Sequence, residues 1–266
     1  MRRMFVLIFG LLASALLTTQ GPSASAQDKV REKVDLPERE EMRQNYQIAP
    51  GARVEITNIN GPLEIETVSG NTAEVYVVRS ARTKADLEYR KIIVDNSPTS
   101  FRLYSQQPED ETANNITVRH HVVLKLPRPS ALSVRNINGN ARVGDVDGPI
   151  TLGNINGQLE VGQATEFAEL SNINGNMAMT IVRLGERGIR FRNVNGNINL
   201  RFLSEVNADV EVRSFNGTVN STLPNTSIQR VGRSDFRGQI GSGGTPITGS
   251  HINGVITIRG ASDGTR

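Results

Sequence analysis

The chain of 266 residues contains no cysteine and no tryptophan, and only 5% of its residues are aromatic. Without cysteine, disulfides cannot stabilise the fold, a thiol nucleophile is excluded, and a lipid anchor attached to cysteine is not expected. The sequence also lacks the G-x-S-x-G and H-E-x-x-H motifs of serine hydrolases and zinc proteases. These absences point away from the common hydrolytic enzymes.

Long apolar runs are missing after the first 26 residues. Two arginines precede an apolar run from Phe5 to Leu17, and the small residues A-S-A follow at 24–26. This pattern is typical of a secretory signal peptide, and the run is too short for a good membrane span. The remainder carries 28 Lys and Arg against 27 Asp and Glu, a balance that gives no general attraction to nucleic acid. We expect an exported protein, periplasmic or extracellular and associated with the cell envelope, with no transmembrane segment after cleavage.

A four-residue motif, N-h-N-G with h apolar, recurs along the chain. Its copies and close relatives are NING at 58, 136, 154 and 172, NVNG at 193, SFNG at 214 and HING at 251. From residue 136 the steps are 18, 18, 21, 21 and 37 residues, so the last step is about two periods. A fixed period of this size indicates stacked structural repeats.

Apolar residues alternate on both sides of every motif. Counted from its first residue, positions −4, −2, +1, +5 and +7 are apolar in 33 of 35 cases, with Ser221 and Gly249 as exceptions. Alternation is strand periodicity, and the extra residue inside the motif shifts its phase, as a corner does. The pattern predicts an all-β, right-handed β-solenoid with 18–21 residues per coil and longer strands in its N-terminal part. Two-sided and three-sided coils both remain open.

The motif residues have a structural interpretation. Gly is open to positive φ and Asn tolerates it, so both suit a corner. Stacked asparagines can bond to one another and to corner backbone groups in an internal ladder. The predicted ladder and corner residues are Asn58, Asn136, Asn154, Asn172, Asn193, Gly61, Gly139, Gly157, Gly175, Gly196, Gly217 and Gly254.

Charged residues at outward positions are the candidate surface contacts. Glu169, Arg190 and Glu211 occupy position −3 of successive motifs and predict a ladder of alternating sign. Arg142 and Glu160 form a similar pair at +6. Arg192 and Arg213, at −1, are expected to be neighbours and to form a local positive pair. The residues proposed for contact with a partner are Arg142, Glu160, Arg192 and Arg213.

The rest of the chain divides by composition. The predicted segments are a signal peptide at 1–26, a charged linker at 27–47, an N-terminal β portion at 48–130, regular coils at 131–260 and a tail at 261–266. Residues 48–130 are expected to cap the first coil, and a separate small β-domain is the alternative. Residues 222–249 are an irregular insertion in the late coils.

Few residues suggest chemistry. His120 and His121 are adjacent in a strand and should point to opposite faces, so they do not form a metal site. Asp145 and Asp147 in GDVDG resemble a calcium turn but occur only once, whereas calcium needs six to eight oxygens. Glu109, Asp110 and Glu111 form an acidic run in a loop. We therefore expect no catalytic residues, no metal and no cofactor.

The segment NYQIAPGARVEITNINGPLEIETVSGNTAEVYV at 45–77 and the later N-[IV]-N-G copies resemble the bacterial "putative adhesin" β-repeat family of unknown function. That family is related to the head domains of proposed autotransporter adhesins, and the resemblance covers roughly residues 45–260. It implies an exported or envelope-associated β-solenoid without catalytic residues.

Three functions follow as hypotheses. The first is a non-enzymatic envelope scaffold that binds an envelope protein or glycan, or assists in sensing envelope stress. The second is a polysaccharide lyase or hydrolase on a β-helix, which would bring Asp110, Asp145 and Arg142 together in a groove. The third is a self-associating structural protein, which requires an uncapped end.

Overall fold

The computed structural model describes residues 35–106, 116–128 and 131–261. The predicted signal peptide and the acidic run at 109–111 lie outside the described residues. Within them the fold is all-β, as predicted, with nineteen strands in one sheet and a single 3-10 turn at Ala85–Glu88. No helix in these ranges is long and apolar enough to cross a membrane.

The strands are given in three groups along the chain. The N-terminal strands are β1 Glu38–Gln47, β2 Arg53–Ile59, β3 Leu63–Val68, β4 Thr72–Ala81, β5 Ile92–Ser97, β6 Ser100–Ser105 and β7 Val118–Pro127. The next are β8 Ala131–Ile137, β9 Ala141–Val143, β10 Ile150–Asn156, β11 Leu159–Ala164, β12 Ala168–Asn174, β13 Met177–Ile181, β14 Ile189–Asn195 and β15 Ile198–Phe202. The last are β16 Ala208–Ser221, β17 Thr226–Val231, β18 Asp235–Ile240 and β19 Thr245–Gly260.

Two parallel stacks of strands run through the repeats. The first stack has the order β6, β2, β8, β10, β12, β14, β19 and β16. The second has the order β7, β3, β9, β11, β13, β15, β19 and β16. Strands β16 and β19 continue through the corner and belong to both stacks. Each repeat therefore supplies one strand to each stack, as the alternating pattern predicts.

The apolar positions of the repeat face a common interior. All of the 33 apolar residues at the five frame positions are buried except Val219, near the end of β16. The largest fully buried side chains include Phe101, Phe191 and Phe202. A single repeat could not bury these residues, because its two strands would leave them exposed on the sides that neighbouring repeats now cover. Burial of apolar surface across neighbouring coils is therefore the main stabilising contribution.

The order of the coils in space differs from their order in the sequence. Strand β19, which carries HING, lies between β14 and β16, so the SFNG coil is the outermost one. The 37-residue step is thus not two periods of coil. It contains a hairpin, β17 and β18, in which β18 pairs antiparallel with Ala208–Val212 of β16. The predicted irregular insertion is this hairpin, and it covers the first half of the terminal coil.

The N-terminal part covers the other end of the stacks. Strands β6 and β7 pair in parallel with β2 and β3, while β5 and β4 pair antiparallel with β6 and β7. Strand β1 pairs with β4 over its full length, from Glu38 to Gln47. The linker predicted for 27–47 is therefore wrong for residues 38–47, because high charge is compatible with an edge strand whose side chains face solvent.

Candidate functional site

The first residue of each motif lies in a row on the surface. This first asparagine row is linked by side-chain bonds in which each Nδ2 donates to the Oδ1 one coil earlier, at 2.8–2.9 Å. Its members are Asn58, Asn136, Asn154, Asn172 and Asn193, all with φ between 51° and 62°. Asparagine is one of the few residues that enter this left-handed region readily. The row faces solvent, which corrects the expectation of an internal ladder.

A second asparagine row runs beside the first and is longer. Donation from Nδ2 to Oδ1, at 3.0–3.1 Å, connects Asn60, Asn138, Asn156, Asn174, Asn195, Asn253 and Asn216 in that spatial order. This row was missed in the predicted site residues. The signal was in the repeat itself, because the third motif residue is asparagine in all seven copies, whereas the first is replaced at Ser214 and His251.

The motif glycines are needed where one coil meets the next. A methyl group added at Gly157 would overlap the backbone carbonyl of Gly139, and one at Gly175 would overlap that of Gly157. Side chains in the following position fasten the same corner: the Asn140 Oδ1 accepts a bond from the Gln158 backbone N–H at 2.9 Å. At each of these corners the backbones of neighbouring coils are therefore in close contact, and the side-chain amide groups lie on the outside.

We expect Asn172→Ala to lower the free energy of unfolding by about 2 kcal/mol. The change removes a bond given to Asn154 and one received from Asn193, each contributing about 0.5–1.5 kcal/mol. It also places alanine in the left-handed region at φ 54°. Urea denaturation measures the loss, and Asn172→Gly, which removes only the bonds, should lose about half as much. Unchanged midpoints would show that the row contributes nothing to stability.

An open groove of about 380 Å³ lies next to the asparagine corner and crosses the second stack. Its lining includes the amide-bearing residues Asn140, Gln158 and Asn176. It also includes a row of register partners on β3, β9, β11, β13 and β15, namely Glu64, Arg142, Glu160, Ala178 and Asn199. We call this feature the amide groove. It offers many hydrogen-bonding groups along a line perpendicular to the strands.

The four predicted surface contacts do not form one site. Arg142 and Glu160 are partners, with 3.0 Å between Nε and Oε2, and both line the amide groove. Arg192 instead forms an ion pair with Glu169, with 3.1 Å between Nη2 and Oε1, and both residues lie on the first stack, away from the groove. Arg213 pairs with Glu211 two residues earlier on its own strand, at 2.8 Å.

The predicted neighbours at the late coils are also separated. Ser250 of β19 lies between Arg192 and Arg213 in register, so these arginines are two strands, roughly 10 Å, apart. In the same way Thr248 separates Arg190 from Glu211. The insertion of β19 between β14 and β16 therefore separates the expected arginine pair and interrupts the charge ladder before Glu211, whereas Glu169 and Arg190 are opposite each other as predicted. The hydrogen bond from Arg213 lowers the pKa of Glu211, and Arg237 adds to this effect.

The two aspartates of the GDVDG turn are bonded to an arginine side chain of the protein. The Arg128 guanidinium donates to Asp147 Oδ1 at 3.2 Å and to Asp145 Oδ2 at 3.1 Å. Guanidinium groups match paired carboxylate oxygens well. Within the described residues, no group of three or more His, Asp or Glu side chains is arranged to hold a metal ion.

His120 and His121 point to opposite sides of β7, as the strand pattern predicts. His121 is exposed, with Nε2 at 3.4 Å from Glu64. His120 is only 2% exposed: its Nδ1 accepts the Asn60 backbone N–H at 3.2 Å, and its Nε2 faces the Arg90 carbonyl at 3.0 Å. Burial, with the nearby charges of Arg79 and Arg90, lowers the pKa of His120 to about 4. His120 is therefore a neutral link between the first corner and the loop before β5.

No known family model matches the sequence, and no curated protein does. The chain is similar to a crystal structure of a putative cell adhesion protein from Clostridium sporogenes, with 13% identity over 83% of this chain and 100% of that one, at a TM-score of 0.35. A putative adhesin from Bacteroides fragilis matches with 10% identity over 83% of this chain and 97% of the other, at 0.29. A putative lipid binding protein from Parabacteroides distasonis matches with 10% identity over 83% and 96%, at 0.25. Similarity this low gives no information on what this chain binds.

Proposed function

We propose that this chain is an exported, non-enzymatic envelope protein, a right-handed β-solenoid of the adhesin-like type that binds a glycan chain in the amide groove. Residues 48–130 and 131–260 would be two portions of one solenoid. The observation that carries the proposal is the groove itself, which runs across five strands and is lined by amide and charged side chains. Its direction suits an extended polymer better than a compact small molecule.

The chemistry of the groove matches sugar hydroxyl groups. Hydroxyls both donate and accept hydrogen bonds, and an amide side chain presents one acceptor oxygen and two donor hydrogens. The Oδ1 atoms of Asn140 and Asn176 accept bonds from backbone N–H groups of the next coil, so the amides are held in position; among the described residues their NH2 groups have no acceptor and can donate to a ligand. A rigid lining reduces the entropy lost on binding.

The groove repeats its chemistry at the strand spacing. Neighbouring coils lie about 4.8 Å apart, so equivalent side chains recur at that interval along the groove. Its lining contains no aromatic ring, so hydrogen bonds rather than ring stacking would provide most of the contacts. Such contacts are individually weak, and affinity would come from the number of sugar units bound at once.

A blocking substitution tests this function. Ala178 is exposed and lines the groove, so Ala178→Trp should obstruct it and weaken binding to purified envelope polysaccharide at least tenfold. Thr151→Trp places the same ring on the outer side of β10 in the other stack and should bind like the wild type. Binding can be measured by affinity electrophoresis of the mature protein. Equal binding by both variants, or retention of only an envelope protein, would contradict glycan binding in this groove.

The enzymatic alternative has its own test. Of its three predicted residues, Asp110 lies outside the described residues, while Asp145 pairs with Arg128 and Arg142 with Glu160. These separate pairings give no observation in favour of a shared catalytic centre. Incubation with the bound polysaccharide and measurement of new reducing ends or unsaturated sugars distinguishes the two functions, and we expect neither product.

The self-associating alternative depends on exposed strand edges. Strand β18 covers Ala208–Val212 of β16, and the edge strand β1 carries the charged sequence EREEMR. Charged edges disfavour pairing between molecules. Light scattering of the mature protein at increasing concentration should therefore report a constant mass.

A further inference from the structure

The first asparagine row has a direction. In each of its four bonds the Nδ2 donates toward the N-terminal end of the stack, and the Oδ1 faces the following coil. Amides aligned head to tail polarise one another, so the donor end of such a chain attracts electron-rich groups. That end is Asn58, whose Oδ1 accepts from Asn136 and whose Nδ2 consequently points away from the row.

The two rows end differently at this point. In the second row the Nδ2 of Asn60 donates to the carbonyl oxygen of Val118 at 2.8 Å, so that row is closed by the backbone. No acceptor is within hydrogen-bond distance of the Asn58 Nδ2 in the part of the chain that the structure describes. The first row thus has an open donor end directly beside a closed one.

A cation stands at the same place. Asn58 and the half-buried Arg90 both line an open recess of about 350 Å³, with Asn60, Thr117, Asn136 and Asn138 around it. We call this the Arg90 recess. Among the described residues, no carboxylate lies within ion-pair distance of the Arg90 guanidinium, and no acidic side chain lines the recess.

The backbone of Arg90 is held firmly. Its φ is 52°, an uncommon value for a residue other than glycine, asparagine or aspartate, and such positions persist only where surrounding bonds enforce them. Its carbonyl oxygen faces His120 Nε2 at 3.0 Å and accepts from Ser105 Oγ at 3.3 Å. The position from which the guanidinium extends is therefore fixed by two buried neighbours, Ser105 and His120.

We propose that the Arg90 recess binds an oxyanion, a carboxylate or a phosphate group. The guanidinium would contact two oxygens with its planar fork, and the Asn58 amide would donate to the same group from the end of the row. This site lies apart from the amide groove and does not depend on the proposed glycan function. Among the described residues, the remaining lining offers hydroxyl, amide and apolar groups, which add donors without negative charge.

Calorimetric titration of the mature protein with inorganic phosphate and with acetate, at constant ionic strength set by chloride, tests the site. We expect saturable binding of at least one of the two, weakened at least tenfold by Arg90→Gln. Asn58→Asp should weaken it as much, because a carboxylate there still accepts from Asn136 but repels an anion. Ser133→Asp, which adds the same charge on the outer side of β8, is the control and should bind normally.

The outcomes separate the sources of the anion and the two proposals. A response to acetate and not to phosphate assigns the recess to carboxylates such as those of acidic sugars, and the reverse assigns it to phosphate groups. Ala178→Trp should leave this binding intact, so loss of glycan binding there has no effect on the present inference. Absence of saturable binding with either anion, or wild-type affinity in both Arg90→Gln and Asn58→Asp, would overturn it.

Discussion

Gly157→Ala is expected to lower the free energy of unfolding by about 3 kcal/mol, the upper part of the usual range for overfilling a close contact. The added methyl group would meet the backbone carbonyl of Gly139 and the Asn140 backbone nitrogen, neither of which can move without shifting the coil. The same contact recurs between Gly175 and Gly157, so a shift at one corner is passed to the next coil.

Gly153→Ala is the matched control for this change. Gly153 lies four residues earlier in the same coil, and the nearest atom to an added methyl group there is the Ser171 hydroxyl oxygen at 3.1 Å, a side-chain group that can rotate. We expect a loss below about 1 kcal/mol. Urea denaturation of both variants measures the difference, and similar losses would refute the claim that the corner requires glycine.

Stability is expected to fall by about 3 kcal/mol as the pH is lowered from 6.5 to 4, because of His120 alone. Burial lowers its pKa from 6.5 to about 4 in the folded protein, while the unfolded chain keeps the ordinary value. Between these pH values the unfolded state binds a proton that the folded state does not, so acid favours unfolding. Protonation would also turn Nδ1 into a donor facing the Asn60 N–H, which it now accepts.

The histidine next to it provides the control. His120→Gln should be less stable at pH 7 but should lose the part of the pH dependence that lies between 4 and 6.5. His121→Gln alters the exposed neighbour and should retain the wild-type profile. The measurement is the unfolding free energy from denaturant titrations at intervals of pH. Identical slopes for the wild type and His120→Gln would be incompatible with a neutral buried His120.

Much of the coil could be predicted from the repeat. Alternating apolar residues define which side of a strand faces inward, and equivalent positions of successive motifs pair in register, for example Leu152 with Leu170. Parallel stacking follows from that equivalence, because each frame position lies beside its equivalent in the next repeat, and the extra residues of the first 21-residue step lie in the connection between β13 and β14. The placement of asparagine at the left-handed position also follows from local chemistry.

The spatial order of the last coils could not be predicted from the repeat. Every coil presents nearly the same apolar frame, so the pattern does not say whether β14 is followed by β16 or by β19. The choice depends on the β17–β18 hairpin, which occupies the outer side of β16. The errors at Arg192 and Arg213 came from this point.

The candidate site was only partly visible in the sequence. Outward positions of strands could be assigned, but the partner of each charge depends on diagonal contacts as well as register. Glu169, for example, is opposite Arg190 and pairs with Arg192. The link from His120 to Arg90 joins segments 30 residues apart without any repeat to indicate it. Contacts of that kind require the three-dimensional path of the N-terminal part.

The position of β19 limits the sequence of events by which the chain can assemble. Each coil from β8 to β15 can add to a neighbour that precedes it in the chain, so this part can grow in the order of the sequence. The strand β16 cannot, because its parallel neighbour is β19, which is synthesised later. Until β19 enters between β14 and β16, the SFNG coil has only the β18 hairpin strand beside it. We therefore expect the C-terminal end to be completed only when β19 has paired with both β14 and β16.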